Sequence, residues 1–490
     1  MPETQARSTQ ASRGAMWSAA DLWTEQLSQL LTFILIGNIL GPHVVGVMTM
    51  ALVATLFLAA FLENGFSDAL IQRVSLDQSH FDSTFWLMLV FGTLEGLALW
   101  AATPQVARLF SEPQLNDILP LMALSLPCIA VTACYTAMLR RQLQFRQLAT
   151  RSIISQGTAF VTALAMATLG YGIYSLVVFF LVSRLLSAIL IIVVSGLRPG
   201  VRITRSALGD IVRFGKHRVA HQVVSYVSLQ FDRLMIGIFL GPVVLGLYTV
   251  AQRLATALNN AISGVFHRVA FPVLSSRQED RGAFEWAMRE FLTVANLVAL
   301  PAFIGLAVTS SALIGTMFTS SWLPAAALLQ ILCLAALAGP TNYILTAATN
   351  ALGRADLVLK LSLAVMAVRV AVILAAAQFS VEAVAVANAG AMLLSVPMFL
   401  VAANRLFGGK WTWLFRDVWL PALATLLMAA ATLMAGSLLP SPSSIVALAC
   451  QVLVGIAAYV IFIRLLAPKL FRKAFETIGF RRSSYSAEQG

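Results

Sequence analysis

Residues 33–51 read FILIGNILGPHVVGVMTMA, and residues 233–251 read RLMIGIFLGPVVLGLYTVA. Aligned without gaps at an offset of 200, nine of the nineteen positions are identical, and both copies carry I-G-x-x-L-G-P. The apolar run on each side of the Gly-Pro suits one membrane-spanning helix, because about 20 apolar residues cross a hydrocarbon core of about 30 Å. Proline cannot continue the helix it follows, and glycine accepts the backbone angles of a reversal, so the dipeptide marks a turn between two spans. Apolar stretches resemble one another by composition alone, but composition does not place the same Gly-Pro turn in the same register. The pair of segments therefore predicts two related halves of a membrane protein.

The rest of the chain agrees with that reading. Of 490 residues, 59% are hydrophobic and 11% charged, against roughly 25% charged in a soluble domain. Apolar runs between polar breaks fall near 16–40, 44–71, 84–103, 115–139, 148–169, 173–196, 209–240, 243–270, 289–310, 323–349, 357–378, 381–404, 413–436 and 444–466. None alternates in polarity as a barrel strand does. The polar start MPETQARSTQASRGA and the long apolar segment behind it predict a retained first span and no cleaved signal peptide. The expected fold is an all-α polytopic membrane protein of about fourteen helices. Six spans separate the repeats, so both halves insert in the same orientation, as two six-helix bundles related by a pseudo-twofold axis around a central cavity. The expected divisions are 1–205, 206–405 as a repeat of the first, and 406–490 for two extra helices and a basic tail.

Charge placement supplies the orientation. With the N-terminus in the cytoplasm, 28 of the 33 Lys and Arg lie in cytoplasmic segments, while the opposite loops hold only Arg108. Such a bias is what the positive-inside rule requires of a bacterial inner-membrane protein, and it puts both termini in the cytoplasm. The net charge of +12 is thus explained by clusters beside anionic headgroups, and no nucleic-acid partner is expected. Four cysteines and five histidines form no ligand motif, so neither metal nor cofactor is expected.

Four arginines, Arg184, Arg233, Arg253 and Arg369, fall inside spans. Asp21, Glu25, Ser28 and Thr32 share one face of the first span, and His221, Ser225, Ser228 and Asp232 repeat that register 200 residues later. Span eight adds Gln252, Thr256, Asn259, Ser263 and His267. Polar side chains are costly against lipid and face the bundle or water instead. Helix–helix hydrogen bonds account equally well for the neutral ones. Asp232, Arg233 and Arg253 also suit a structural ion pair. Arg184 and Arg369 sit near mid-membrane without an obvious local partner. They are the first candidates for gripping an anion, with Arg253, Arg233, Asn259 and Gln252 beside them, because a guanidinium fork matches phosphate oxygens. Asp21, Glu25, His221 and Asp232 are candidates for a coupling ion. No catalytic residue is expected.

Several stretches carry a resemblance: ENGFSDALIQR (63–73), FDSTFW (81–86), MLRRQLQFRQLA (138–149), GYGIYSLV (170–177), FDRLMIGIFLGPVVLGLYTVAQRL (231–254), FPVLS (271–275) and ALGRADLVLKL (351–361). Together they resemble the polysaccharide-transporter family of the multidrug/oligosaccharidyl-lipid/polysaccharide exporter superfamily, the Wzx-type, WzxC-like flippases. The resemblance implies transfer of undecaprenyl-pyrophosphate-linked oligosaccharide repeat units to the periplasmic leaflet for exopolysaccharide, capsule or O-antigen synthesis. It implies proton or cation coupling, cavity arginines that engage pyrophosphate, and a periplasmic polymerase and chain-length or export machinery as partners.

Other functions predict other features. A drug or cation antiporter of the same superfamily calls for acidic cavities in both halves. A membrane glycosyltransferase or polymerase calls for a large catalytic loop, and the longest external loops here hold only about 10 to 12 residues with no paired carboxylates. A scaffold has no need of charges buried in spans.

Overall fold

The computed structural model describes residues 2–63, 78–200, 204, 226–407, 412–438, 444–468 and 470. Its regular elements are all helical. The first, α1 (Pro2–Glu63), breaks at Gly41, whose φ of 80° and ψ of 173° only glycine adopts without strain. There follow α2 (Gln78–Leu109), α3 (Leu115–Ala123), α4 (Ser125–Arg141), α5 (Phe145–Thr168), α6 (Tyr174–Ser195) and α7 (226–240). The chain continues as α8 (Pro242–Ser275), α9 (Arg281–Met317), α10 (Ala325–Ala336), α11 (Ala338–Ala351), α12 (Ala355–Ala376), α13 (Val381–Phe407), α14 (Thr412–Leu438) and α15 (Ile445–Leu466).

Ten helices among the described residues are long and apolar enough to cross a membrane. The first of them, Met16–Leu62, runs two expected spans together, and the expected spans near 148–169, 209–240 and 243–270 are not among the ten. The physical reason is where polar groups go. On α5 the buried face carries Ser152 and Ser155, and α8 carries Gln252, Arg253 and Asn259, so both read as less apolar than helices that face lipid. Most of 209–240 lies outside the described residues. The surface is apolar, with Leu94, Leu97, Trp100, Leu185, Leu426 and Leu453 all more than half exposed, while Thr32, Asp82, Ser183 and Asp232 are buried. A soluble fold would reverse that pattern. The chain is a multi-pass membrane protein.

Two compact units divide the chain, one comprising Met1–Val250 with Ala377–Val381, the other Ala251–Ala376 with Glu382–Gly490. In the first unit α1 packs on α5, α5 on α6, α2 on α4, and α4 on α6. Just past each Gly-Pro turn the backbones cross. A Cβ on Gly46 would run into the Pro242 carbonyl, and one on Gly246 into the Pro42 carbonyl. Gly46 and Gly246 are 200 residues apart in the chain, as are Pro42 and Pro242, so the identities at 42 and 46 in the repeat mark a reciprocal contact that any side chain would block.

The FDSTFW stretch also has a packing role. Asp82, 1% exposed, accepts from the Gly200 N–H at 2.9 Å and from Gln78 Nε2 at 2.9 Å. Trp86 Nε1 donates to the Gly200 carbonyl at 2.9 Å, and Tyr135, edge-on to Phe81 and Phe85, donates to the Leu197 carbonyl. The motif clasps the chain that leaves α6.

The expected spans near 115–139 and 323–349 are each broken in the middle. The chain bends at Leu124, between α3 and α4, and at Leu337, between α10 and α11. Pro127 and Pro340 follow three residues after each bend. Proline has no N–H for the residue four before it. The missing bonds fall on Ala123 and Ala336, the last residues of α3 and α10.

In the second unit α14 and α15 pack on α9, burying Leu297, Ala424 and Ile463 in one cluster. Tyr459 seals it by donating to the Leu297 carbonyl at 2.7 Å.

Candidate functional site

Asp21 and Glu25 lie one turn apart on α1, so their carboxylates project on the same side. Facing them, the second turn of α5 places Arg151 and Ser152. Ser152 Oγ donates to Asp21 Oδ1 at 2.5 Å, and Arg151 Nη2 stands 3.9 Å from the same oxygen. Arg151 is further tied to Thr136 on α4 by a 3.1 Å bond and to Ser152 at 3.0 Å. Its guanidinium also interacts electrostatically with Glu25, Arg184 and Arg140. Arg184 arrives from α6, with its guanidinium 5.4 Å from the Phe180 ring centroid. Four helices of the first unit thus gather two carboxylates, Asp21 and Glu25, and three guanidinium groups, Arg140, Arg151 and Arg184. The Arg151 and Asp21 side chains retain only 12% and 23% of their exposure.

Such a cluster has a defined chemistry. Taking charges out of water is repaid only by close pairing. A guanidinium held by one carboxylate oxygen and by hydroxyls keeps donors that a phosphate or carboxylate ligand can take over. Arg151 was not among the residues singled out from the sequence. It reads as the last of a basic run with Arg140, Arg141 and Arg146 at the membrane boundary. The available signal was its helical register with Leu148, Ser152 and Ser155, which face inward on α5.

The other predicted residues fall elsewhere. Asp232 on α7 is fully buried, and it accepts from the Tyr248 hydroxyl at 2.7 Å and from the Arg233 N–H at 3.0 Å. Arg233 itself donates to Gln230 at 2.8 Å. In the second unit Arg369, 6% exposed, has a partner that its own helix does not reveal: Nε donates to Asn388 Oδ1 on α13 at 2.8 Å. Asn259 on α8 accepts from Ser263 at 3.3 Å and packs where a Cβ on Gly339 would lie. Gln252 and Arg253 are half-buried near the start of the same helix. His221 and Ser225 lie outside the described residues. The structure therefore brings Asp21, Glu25 and Arg184 together, and joins Asp232 to Arg233 by a backbone bond. Among the described residues no three His, Cys, Asp or Glu side chains form a metal cluster.

The chain as a whole is similar to known proteins. The chain is 25% identical to the teichuronic acid biosynthesis protein TuaB of Bacillus subtilis over 70% of its own length and 72% of that protein. It is 26% identical to the succinoglycan biosynthesis transport protein ExoT of Rhizobium meliloti over 62% of each. It is 23% identical to the lipopolysaccharide biosynthesis protein WzxC of Escherichia coli over 66% of each. Among solved structures, the lipid II flippase MurJ in an inward closed conformation superposes with a TM-score of 0.78 at 18% identity, covering 94% of this chain and all of that one. An inward-facing multidrug MATE transporter gives 0.61 at 17%, covering 80% and 99%. Those likenesses establish a fold shared with these two solved structures. A family model described as polysaccharide biosynthesis protein matches residues 35–327, well over half of the chain, which belongs to that family.

Proposed function

We propose that the protein is a flippase. It moves polyprenyl-pyrophosphate-linked oligosaccharide repeat units from the cytoplasmic to the periplasmic leaflet of the inner membrane, where a polymerase extends them into exopolysaccharide, capsule or O-antigen. The observation that carries the reading is the Arg151–Asp21 cluster with Arg184 and Glu25, held among the helices of a polysaccharide biosynthesis family member. A sugar headgroup with a pyrophosphate does not cross about 30 Å of hydrocarbon unaided. It needs a wet, cationic path while its lipid tail stays in the bilayer. In that path Arg184 and Arg151 take the anion, and Asp21 and Glu25 hold Arg151 when no anion is present.

The name of ExoT as a transport protein and of MurJ as a flippase supports transport as the activity, and the family is one of transporters, not enzymes. The MATE likeness keeps small-molecule antiport as a second reading, which the family match and the arginines disfavour. The repeat at offset 200 supports lobes at 1–205 and 206–405 moving against one another, with 406–490 as an appendage. The bias of basic residues supports cytoplasmic termini. Arg369, Arg253, Arg233, Asn259 and Gln252 are assigned to the substrate path, and Asp21, Glu25, His221 and Asp232 to the coupling ion.

The test is depletion of the protein from its host, followed by the leaflet distribution of lipid-linked intermediates. Accumulation on the cytoplasmic side, with loss of polymer, is the expected result, and Arg184→Ala and Arg151→Ala fail to rescue it. Unchanged intermediates with normal polymer remove the flippase reading.

A further inference from the structure

One carboxyl of the first unit has no place in the cluster above. Glu95 is near the middle of α2, on the face that also buries Gly92, Gly96 and Leu99, and it is only 7% exposed. Its neighbours along the helix are pressed against the broken α3–α4 element. A Cβ on Gly92 would stand 2.9 Å from Ala130 Cβ and 3.0 Å from the Leu126 carbonyl, and one on Gly96 would stand 2.9 Å from the Ala123 carbonyl.

The hydrogen bonding of this groove is lopsided. Glu95 Oε2 is buried and has no hydrogen-bond partner among the described residues. Two donors on the facing element are committed elsewhere: Ser125 Oγ donates to the Met122 carbonyl at 2.6 Å, and the Cys128 thiol points to the Leu124 carbonyl at 3.6 Å. The Ala123 carbonyl has lost its helical donor to Pro127. The surroundings therefore offer acceptors rather than donors. A carboxylate only accepts, whereas a carboxylic acid brings the one hydrogen that such a groove lacks.

Among the described residues no basic group pairs with Glu95 to supply the alternative neutralisation. On α3 the sole ionisable residue is Asp117, exposed at the far end. On α4, Cys134 and Tyr135 are buried, and Arg140 and Arg141 stand in its last turn. On α1, Asp21, Glu25 and Glu63 are acidic, and His43 pairs with Glu112 at 3.6 Å when it is protonated. On α2 itself His80 and Asp82 lie near one end and Arg108 at the other. An open pocket lies further along the same two helices. It measures about 310 Å³ between α2 and α3, is lined by Trp100, Thr103, Pro104, Asn116 and Pro120, and begins one to two helical turns beyond Glu95.

We propose that Glu95 is a proton-binding site, loaded from the extracytoplasmic side through the α2–α3 groove and emptied during the transport cycle. Loading adds one proton to the carboxylate and breaks no other bond. The acid then donates to a carbonyl exposed by the Pro127 break. The sidedness and the role in the cycle rest on the flippase reading, and the site itself does not. It also lies apart from Asp21, Glu25 and Asp232.

Dicyclohexylcarbodiimide reacts with protonated carboxyls in apolar surroundings, so full-length protein in vesicles is labelled across a pH series and the adducts are mapped by mass spectrometry. The expected result is an adduct on Glu95 that is abundant in acid and declines at least tenfold in alkali. Glu95→Gln removes it. Asn116→Trp, which fills the pocket rim, slows its formation several-fold. An absent adduct, a yield that ignores pH, or one that follows sodium instead of protons overturns the proposal. If labelling behaves as expected but depletion leaves lipid intermediates unchanged, the flippase reading fails and the proton site stands.

Discussion

The two broken helices of this protein solve the same backbone problem beside different partners. In the first unit α3 and α4 bend at Leu124 next to α2, and in the second α10 and α11 bend at Leu337 next to α9. In both, a proline three residues later withdraws one donor. Around the second bend hydrogen bonds cross between helices, and Asn342 Oδ1, the buried atom just past it that has no partner among the described residues, belongs to an uncharged amide. Asn296 on α9 donates to Thr341 at 3.3 Å, and Gln330 on α10 donates to Ser310 at 3.1 Å. Around the first bend, α2 presents an unmatched carboxyl flanked by two glycines in backbone contact. The second arrangement stabilises a fixed packing, whereas the first leaves a group whose charge state is free to change. Architectural likeness thus does not carry over to chemistry, because chemistry depends on which polar atoms are left unsatisfied.

Replacing glycines should break the comparison most strongly. Gly96→Leu drives a side chain into the Ala123 carbonyl and should cost about 1–3 kcal/mol, read as a lowered midpoint of thermal aggregation in detergent. Glu95→Gln should sharpen it. The amide removes a buried charge, so the variant should gain about 1 kcal/mol over the wild type in alkali. That gain shrinks in acid, where the wild-type carboxyl is already neutral, and equal gains at both pH values would count against the first bend being special. A double-mutant cycle on Asn296 and Thr341 should return a coupling near 0.6 kcal/mol, the usual size for a hydrogen bond between membrane helices. Gly305→Ala on α9 should be the mildest, within about 0.5 kcal/mol, because an added Cβ there meets only Met428 Cε at 3.8 Å.

Much of the fold was legible because lipid imposes a simple code. Apolar runs of sufficient length must become helices, and proline or glycine must punctuate them. Ten such helices among the described residues, and the kink at Gly41, follow that code. The helices it reads least well, α5 and α8, turn polar faces inward. Arg151 was hidden for the same reason, since a cation near a helix end looks like a headgroup anchor until the carboxylate opposite is known. Arg369 looked alone because Asn388 is nineteen residues further on and on another helix.

The candidate site was legible only in part. Asp21, Glu25 and Arg184 were named from charge inside apolar runs, but their convergence with Ser152 and Thr136 depends on how α1, α4, α5 and α6 pack. The sequence by itself determined that this is a polytopic helical membrane protein and where its Gly-Pro turns lie, whereas the need for glycine at 46 and 246 came from the crossing of the two turns. The first two follow from local chemistry repeated along the chain. Tertiary structure alone decided which polar groups meet and which stay unmatched. Hydrogen bonding is directional and short-ranged, so the satisfaction of Glu95, Asp21 or Arg369 depends on residues that only packing brings within about 3 Å.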